Sequence, residues 1–327
     1  DFLAQKAKLV ARPTGGANAG HTLVVGDHQQ VNHLMPCGSL HKGVSNHLGH
    51  GVAVDVVQLW AEIESHHKLF GNYPKLSIDP RAPLVLPTHK LLDEMDEKMK
   101  MKKGEPIVGT TLRGIGPLYI DVAWRRAITI GDFNKANFDR KLKNLILDHH
   151  NQLIAGYYGN HPYLDLGNTT DEFIACLKKV MEVVDVERGS YEVVTSALKE
   201  GNVVVEGAQG YAIGLYTGNP PNVTSSDPNP AGIAQSLHLP LQLFRNARII
   251  GCVKAYSSAV GTGGLIGEFY PEVEGKYTKE HGLAFDLQAV GKEFGATTGR
   301  PRRIALMYLK GLADAIKERE RSLKRWQ

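Results

Sequence analysis

Along the 327-residue chain, short β-type apolar runs alternate with longer stretches in which apolar residues recur at helical spacing. Residues 8–11, 22–25 and 31–35 predict strands separated by Gly-rich turns. Over 54–66, Val56, Val57, Leu59, Trp60 and Ile63 fall on one helical face, so an amphipathic helix is expected there. Pro80, Pro83 and Pro87 bracket the short run Leu84-Val85-Leu86, which suits a buried strand, and a helix over 90–102 follows. From about 134 to 199 the pattern is almost wholly helical, in the blocks 138–158, 171–184 and 191–199. After it, Val203-Val204-Val205 reads as an apolar strand ending in the polar sequence EGAQG, and 248–255 as a second strand running into Tyr256-Ser257-Ser258. The segment 304–327 predicts a helix with a strongly charged second half, which suits a solvated end and a partner-binding one equally.

Strands that end in polar, Gly-rich loops, with helices between them, imply an α/β fold. We expect a central, largely parallel twisted sheet flanked by helices, with ligands at the carboxyl ends of its strands. Residues 1–327 read as a single domain with a mostly helical insertion at about 134–200. The chain shows no internal repeat and no low-complexity tract.

Composition narrows the function classes. The chain is 42% hydrophobic and 22% charged, an ordinary globular profile. A formal charge of +4 without clustered basic runs argues against a polynucleotide partner and leaves small anionic ligands. Cys37, Cys176 and Cys252 have neither metal-ligand nor redox spacing, as expected of reduced thiols in a cytoplasmic protein. No apolar run approaches the roughly 18 residues of a membrane helix, so no membrane partner is expected. The first residues lack a secretory layout, and the chain opens on Asp rather than Met, as a processed or truncated start would. A dehydrogenase is disfavoured because GxGxxG is absent. A zinc enzyme is disfavoured because His66-His67 and His149-His150 lack a third ligand at useful spacing; both pairs are expected on the surface.

Four loops combine glycine with residues that hold anions. In GGANAGHT at 15–22, close glycines let backbone N–H groups approach an anion, and His21 can donate to developing charge. A tight turn with an exposed histidine would give the same letters. GTTLRGIGP at 109–117, followed by Arg125-Arg126, offers adjacent hydroxyls and guanidinium groups suited to a nucleoside monophosphate, or simply a surface loop. In EGAQG at 206–210, Gln209 pairs a donor with an acceptor and matches a purine edge, unless it only caps a helix; VTSS at 223–226 lies beyond it. FGATTGRPRR at 294–303 gathers hydroxyls and three arginines for a dicarboxylate or phosphate.

In this order the four loops resemble adenylosuccinate synthetase. NVTSS at 222–226, KAYSSAVGTG at 254–263 and EFGATTGRPRR at 293–303 extend the resemblance, which runs from about residue 3 to residue 303. It implies a ligase of AMP biosynthesis that joins IMP and L-aspartate with GTP hydrolysis and Mg2+, a nucleotide-binding cytoplasmic enzyme working as a homodimer. It further implies that His21 is catalytic, steadying the transferred phosphoryl group, that Gly20 offers a carbonyl to magnesium, and that Thr22 lies near the GTP phosphates. Asn18, Thr111, Gln209, Thr224 and Arg300 would bind IMP, with Arg125 reaching a partner subunit's IMP; Thr297, Thr298, Arg300 and Arg302 would bind aspartate.

The chain departs from the family pattern at named places. No WGDEGKGK-type phosphate loop and no guanine-reading TKLD-type segment occurs in it, so the family's aspartate base and GTP lysine are not expected here. Leu112 stands where a Gly is expected and Ala259 where an Arg is expected. Two alternatives stay open: a non-catalytic homologue that binds a purine monophosphate, and a related ligase using another purine nucleotide.

Overall fold

The structure is a computed structural model and describes residues 1–25, 28–158, 167–244, 246–261, 263–271, 276–295 and 299–324. In chain order its strands and helices begin with β1 (Leu9–Gly16), β2 (His21–Val25), β3 (His28–Asn32), β4 (Ser45–Ala53), α1 (Val56–Phe70) and β5 (Leu76–Ile78). Then come α2 (Pro87–Lys103), α3 (Ile115–Ala123), α4 (Phe138–Asn144), α5 (Asn151–Tyr158), α6 (Gly167–Val183), α7 (Ser190–Glu200) and β6 (Val203–Val205). The series ends with α8 (Pro230–Ser236), β7 (Ser257–Ala259), α9 (Leu283–Val290), β8 (Arg303–Ala305) and α10 (Leu309–Lys324).

The central sheet has the order β5-β4-β1-β6, and each pairing is parallel. This is the expected architecture, and it gathers the loops after β1, β4 and β6 at one carboxyl edge. β2 and β3 form an antiparallel hairpin, and β7 pairs antiparallel with β8. The main core lies between the sheet and the helical block: Leu48, Val52 and Ile78 of the sheet meet Leu59 and Ile63 of α1 and Phe173, Leu177 and Val180 of α6. Asp55 caps α1 by accepting from the Gln58 N–H at 3.3 Å, and Gly71 closes it in the left-handed conformation. Pro87 opens α2 and Gly104 ends it in the same way.

Several expectations need correction. The strand at 31–35 ends at Asn32, because the buried Glu62 carboxylate takes the next three N–H groups, those of His33, Leu34 and Met35, at 2.8–3.3 Å. Leu84-Val85-Leu86 is buried as expected but contributes only a parallel bridge, Val54 to Leu84. Residues 248–255 form no strand; Ile250 and Val253 are exposed, and pairing begins only at Ser257. The expected helix at 304–327 starts at Leu309, since 303–305 is β8. The long strand β4 and the short β5 lacked a signal, because β4 reads SNHLGHGVA, with buried Asn46 and His47 breaking any apolar run. His47 is tolerated inside because its ring meets Ser77 Oγ at 2.8 Å and Ser190 Oγ at 2.9 Å.

Candidate active site

The site starts where β1 leaves the sheet. Gly15 has φ +87°, and a Cβ there would come within 2.8 Å of the Ala208 Cβ and 3.0 Å of Gln209 Oε1. At Gly16 a Cβ would meet Ile115 Cδ1 at 2.7 Å and the Ala53 carbonyl at 2.9 Å. The two glycines therefore let the loop after β1 press against the loop after β6, the end of β4 and the start of α3. Across that contact the Gln209 amide donates to Asn18 Oδ1 at 3.2 Å. Gln209 holds φ +65°, a conformation a non-glycine residue adopts at a cost, as at many ligand-binding positions. Its Oε1, the Thr224 hydroxyl and His21 Nε2 are buried atoms that make no hydrogen bond within the chain. Buried polar atoms of that kind occur elsewhere in the chain too, but at the mouth of these loops they are placed to meet a polar ligand. Gly116 faces Ser225 Oγ, with 3.8 Å between that oxygen and a Cβ built there, which brings the VTSS segment over the start of α3.

His21 is half-buried, and its Nε2 lies 3.6 Å from Glu206 Oε1. Burial holds its imidazole below the ordinary value, while Glu206 pulls the other way. Glu206 Oε2 accepts the Cys37 N–H at 3.0 Å, and burial together with this carboxylate pushes the Cys37 thiol up to about 12. Beneath the loop, Arg12 is 2% exposed and donates to the carbonyls of His33, Gly16 and Thr14. Burial lowers its pKa, against the pull of Glu206 and Glu62. Sequence reasoning passed over Glu206 and Arg12 as site residues; the signal for Glu206 was an acidic residue at the carboxyl end of a strand.

The loop at 109–117 is tied to α2 through Asp93 and Glu97, and to the Arg300 segment. Arg300 Nη2 donates to the carbonyls of Gly109 at 3.0 Å and Thr110 at 3.1 Å. Arg302 pairs with the buried Glu293 at 2.9 Å, which also holds Lys254 at 2.6 Å and the Tyr256 hydroxyl. A Cβ on Gly261 would lie 3.2 Å from the Val108 carbonyl, so the 254–263 segment also reaches this loop.

The structure thus brings Asn18, Gln209 and Gly15 into contact and sets Arg300 against the peptide next to Thr111. Gly20 is half-buried beside His21, and Thr22 is exposed on β2, paired with Val31. Arg125 is exposed on the turn after α3 at φ +62°, outside this set of contacts. Thr297 and Thr298 lie outside the described residues.

Two of the four paired histidines are not on the surface. His66 is buried, with Nε2 against the Ser39 carbonyl at 2.9 Å. His150 is fully buried and joins His89 and Asp121, partners far along the chain that local spacing could not reveal. His89 Nδ1 accepts the Leu86 N–H at 2.9 Å, so its Nε2 carries the proton and donates to Asp121 Oδ2 at 2.9 Å. His150 Nε2 meets the same oxygen at 2.9 Å, and Arg126 Nε donates to the other at 2.6 Å. Burial would raise the Asp121 pKa, but hydrogen bonds from His150, His89 and Arg126 hold it well below the usual carboxylate range. A carboxylate so fully supplied with protons serves as a structural hub.

Comparison with known proteins identifies the family. The family model described as adenylosuccinate synthetase matches residues 1–319. The chain is similar to the adenylosuccinate synthetase of Christiangramia forsetii, at 35% identity over 97% of this chain and 71% of the relative. It is similar to that of Pseudomonas syringae pv. syringae at 39% identity over 93% of this chain and 66% of the relative, so it spans about two thirds of such proteins. Among solved structures it resembles a fully ligated adenylosuccinate synthetase from Plasmodium falciparum, with a TM-score of 0.79, 30% identity, and coverage of 94% of this chain and 67% of that one. A cyanophage S-2L succinoaminodeoxyadenylate synthetase, bound to dGMP and dATP, shares the fold at a TM-score of 0.63 and 22% identity, over 96% of this chain and 74% of that one. A match along nearly the whole chain, joined to loops that converge as the motifs require, places this protein in the adenylosuccinate synthetase family.

Proposed function

We propose that this chain receives IMP among the loops at the carboxyl edge of its sheet and serves its ligation to L-aspartate, driven by GTP. Family membership makes it one of the ligases that form the C–N bond of adenylosuccinate in AMP biosynthesis. The observation that carries the site reading is the contact of Gln209 with Asn18, 191 positions apart, beside buried acceptors at Gln209 Oε1 and Thr224 Oγ1 that no protein group satisfies. A purine edge carrying both a donor and an acceptor suits that pair.

The reaction has a chemical difficulty that explains the loop chemistry. An oxo group leaves poorly, so the 6-oxygen of IMP takes the γ-phosphoryl group of GTP and GDP departs. The aspartate amine then attacks C6, and phosphate leaves with its C–O bond. His21 donates a hydrogen bond to the charge that builds on the transferred group, and Glu206 faces its ring. Asn18, Gln209, Thr111, Thr224 and Arg300 orient IMP, while Thr297, Thr298, Arg300 and Arg302 receive aspartate; Thr22 lies toward the GTP phosphates. Arg125, exposed after α3, reaches a second copy in a homodimer.

Magnesium accompanies GTP in this reading, with the Gly20 carbonyl as one oxygen ligand. One carbonyl fits magnesium only alongside phosphates and water. Among the described residues, the side-chain cluster able to hold a metal is the His89, Asp121 and His150 hub, none of it in the 15–22 loop. Residues 1–327 act as one α/β unit with a helical insertion, and no helix among the described residues is long and apolar enough to cross a membrane. Work in the cytoplasm follows from the family's metabolic role.

Titration calorimetry with IMP and dGMP tests the reading: IMP binds and dGMP binds more weakly, whereas no heat with IMP overturns it. In the protein that carries this chain, His21→Asn abolishes adenylosuccinate formation, read by mass spectrometry, and leaves IMP binding intact. Product formation unchanged by that substitution removes His21 from the chemistry.

A further inference from the structure

The loop that carries Thr111 is held by a helix that takes no part in the sheet. From α2, the Glu97 carboxylate accepts the N–H groups of Val108 at 3.2 Å, Gly109 at 2.8 Å and Thr110 at 3.3 Å. One turn earlier, Asp93 accepts the Thr110 hydroxyl and the Gly114 N–H, each at 2.9 Å. Both carboxylates are buried, Glu97 at 7% exposure and Asp93 at 8%. A buried carboxylate is tolerated only where hydrogen bonds replace its water, and bonds to a charged group are the strong kind. On the other side of the same backbone, Arg300 donates to the Gly109 and Thr110 carbonyls. A carboxylate on the N–H side and a guanidinium on the C=O side thus clamp one short stretch of chain.

The clamp decides what the loop can offer a ligand. Successive N–H groups converging on one point are a common way to bind a phosphate, but here Glu97 has consumed them. The Thr110 hydroxyl is also engaged, donating to Asp93 while accepting the Leu112 N–H at 3.3 Å. Of the two adjacent hydroxyls, Thr110 builds the loop and Thr111 takes no part in the clamp. We propose that Glu97 is a positioning residue for the nucleotide: it fixes the backbone at Gly109 and Thr110 so that Thr111 presents its hydroxyl to the 5′-phosphate. Glu97 acts through the loop and never touches the ligand. The inference rests on the IMP reading above and adds to it a residue outside every motif that matched the family.

The test compares IMP with inosine, which lacks the phosphate, by calorimetry on the whole chain. In the unaltered protein IMP binds more tightly than inosine. In Glu97→Gln, IMP affinity falls about tenfold, as expected when a charge-assisted anchor becomes a neutral one, and inosine affinity holds. Asp93→Asn moves the ratio in the same direction and decides the matter if Glu97→Gln does not fold. Glu94→Gln, on the same helix and paired with Lys98 at the surface, leaves both affinities as they were. A purely structural role lowers the melting temperature and leaves the IMP-to-inosine ratio unchanged, and that result overturns the inference, as does tighter IMP binding. If the unaltered chain binds inosine and IMP equally, Glu97 has no phosphate to position and the inference fails while the purine site stands. If it binds neither, the IMP reading itself falls.

Discussion

Two arrangements of histidine and carboxylate in this protein differ in one respect that separates scaffold from site. Under α2 and α3, Asp121 receives His89, His150 and Arg126 at 2.6–2.9 Å, and both imidazoles are fully buried. At the rim of the sheet, His21 stands 3.6 Å from Glu206 and its Nε2 makes no hydrogen bond within the chain. In the first arrangement both Asp121 oxygens and all four ring nitrogens of His89 and His150 have partners; the second leaves the His21 ring with an unmatched nitrogen where loops from three strands meet. The same residue types thus spell stability when saturated and ligand binding when not. Backbone strain does not follow that division alone: Leu112 and Gln209 of the rim loops hold positive φ, but so do Arg125, beside the hub, and His238, after α8.

The largest effect that would break this contrast is on the hub. Asp121→Ala leaves a half-buried guanidinium and two buried imidazoles without their acceptor and is expected to destabilise the fold by about 3–5 kcal/mol in urea unfolding. Glu206→Ala, at the open arrangement, costs clearly less. Equal losses in the two variants would mean that the rim is as structural as the hub.

Next in size is the response to acid. Burial brings both His47 and His89 down to about 4, whereas an unfolded chain protonates histidine near 6.5. Between these values the unfolded state binds more protons, so stability is lost as pH falls from 6.5 toward 4, by up to about 3 kcal/mol for each ring. Asp79 and Asp121 are shifted in the same direction but for a different reason. Hydrogen bonds from Arg81 and Ser190 outweigh burial at Asp79, as those from His150, His89 and Arg126 do at Asp121, and both carboxyls sit below their usual range. Their contribution therefore persists until the pH drops through the ordinary carboxylate range of about 4. Unfolding midpoints at pH 7, 5.5 and 4.5 read the histidine window directly, and a flat series contradicts the buried, neutral imidazoles.

Legibility followed the same line. Glycine loops, hydroxyls and arginines are local signals, so the loops at 15–22, 109–117 and 206–210 could be named before their convergence was seen. The parallel sheet was legible from where its strands ended, even though β4, its second central strand, hides behind Asn46 and His47. Asp93, Glu97, Asp121 and Glu206 were not legible in their roles, because a carboxylate's meaning depends on which N–H groups the fold delivers to it, often from far along the chain. Residues 248–255 failed in the other direction: their apolar pattern reads as a strand, but among the described residues they pair with none.

The smallest expected effect sharpens the rim side of the contrast. Leu112 sits at φ +56° in the loop between α2 and α3, where the family pattern has glycine, and its side chain is 44% exposed. A Cβ in the left-handed region costs about 1–2 kcal/mol, whereas glycine gives back roughly 0.5–1 kcal/mol through the freedom it adds to the unfolded chain. Just over half of the side chain is covered, worth about 1 kcal/mol, so these effects nearly cancel and Leu112→Gly leaves stability within about 0.5 kcal/mol of the unaltered protein, read as the urea midpoint at constant slope. A larger loss of stability would show that Leu112 packs against something that outweighs its backbone strain. The rim would then be held by side-chain contact there, and not by the carboxylate clamp of Asp93 and Glu97 alone.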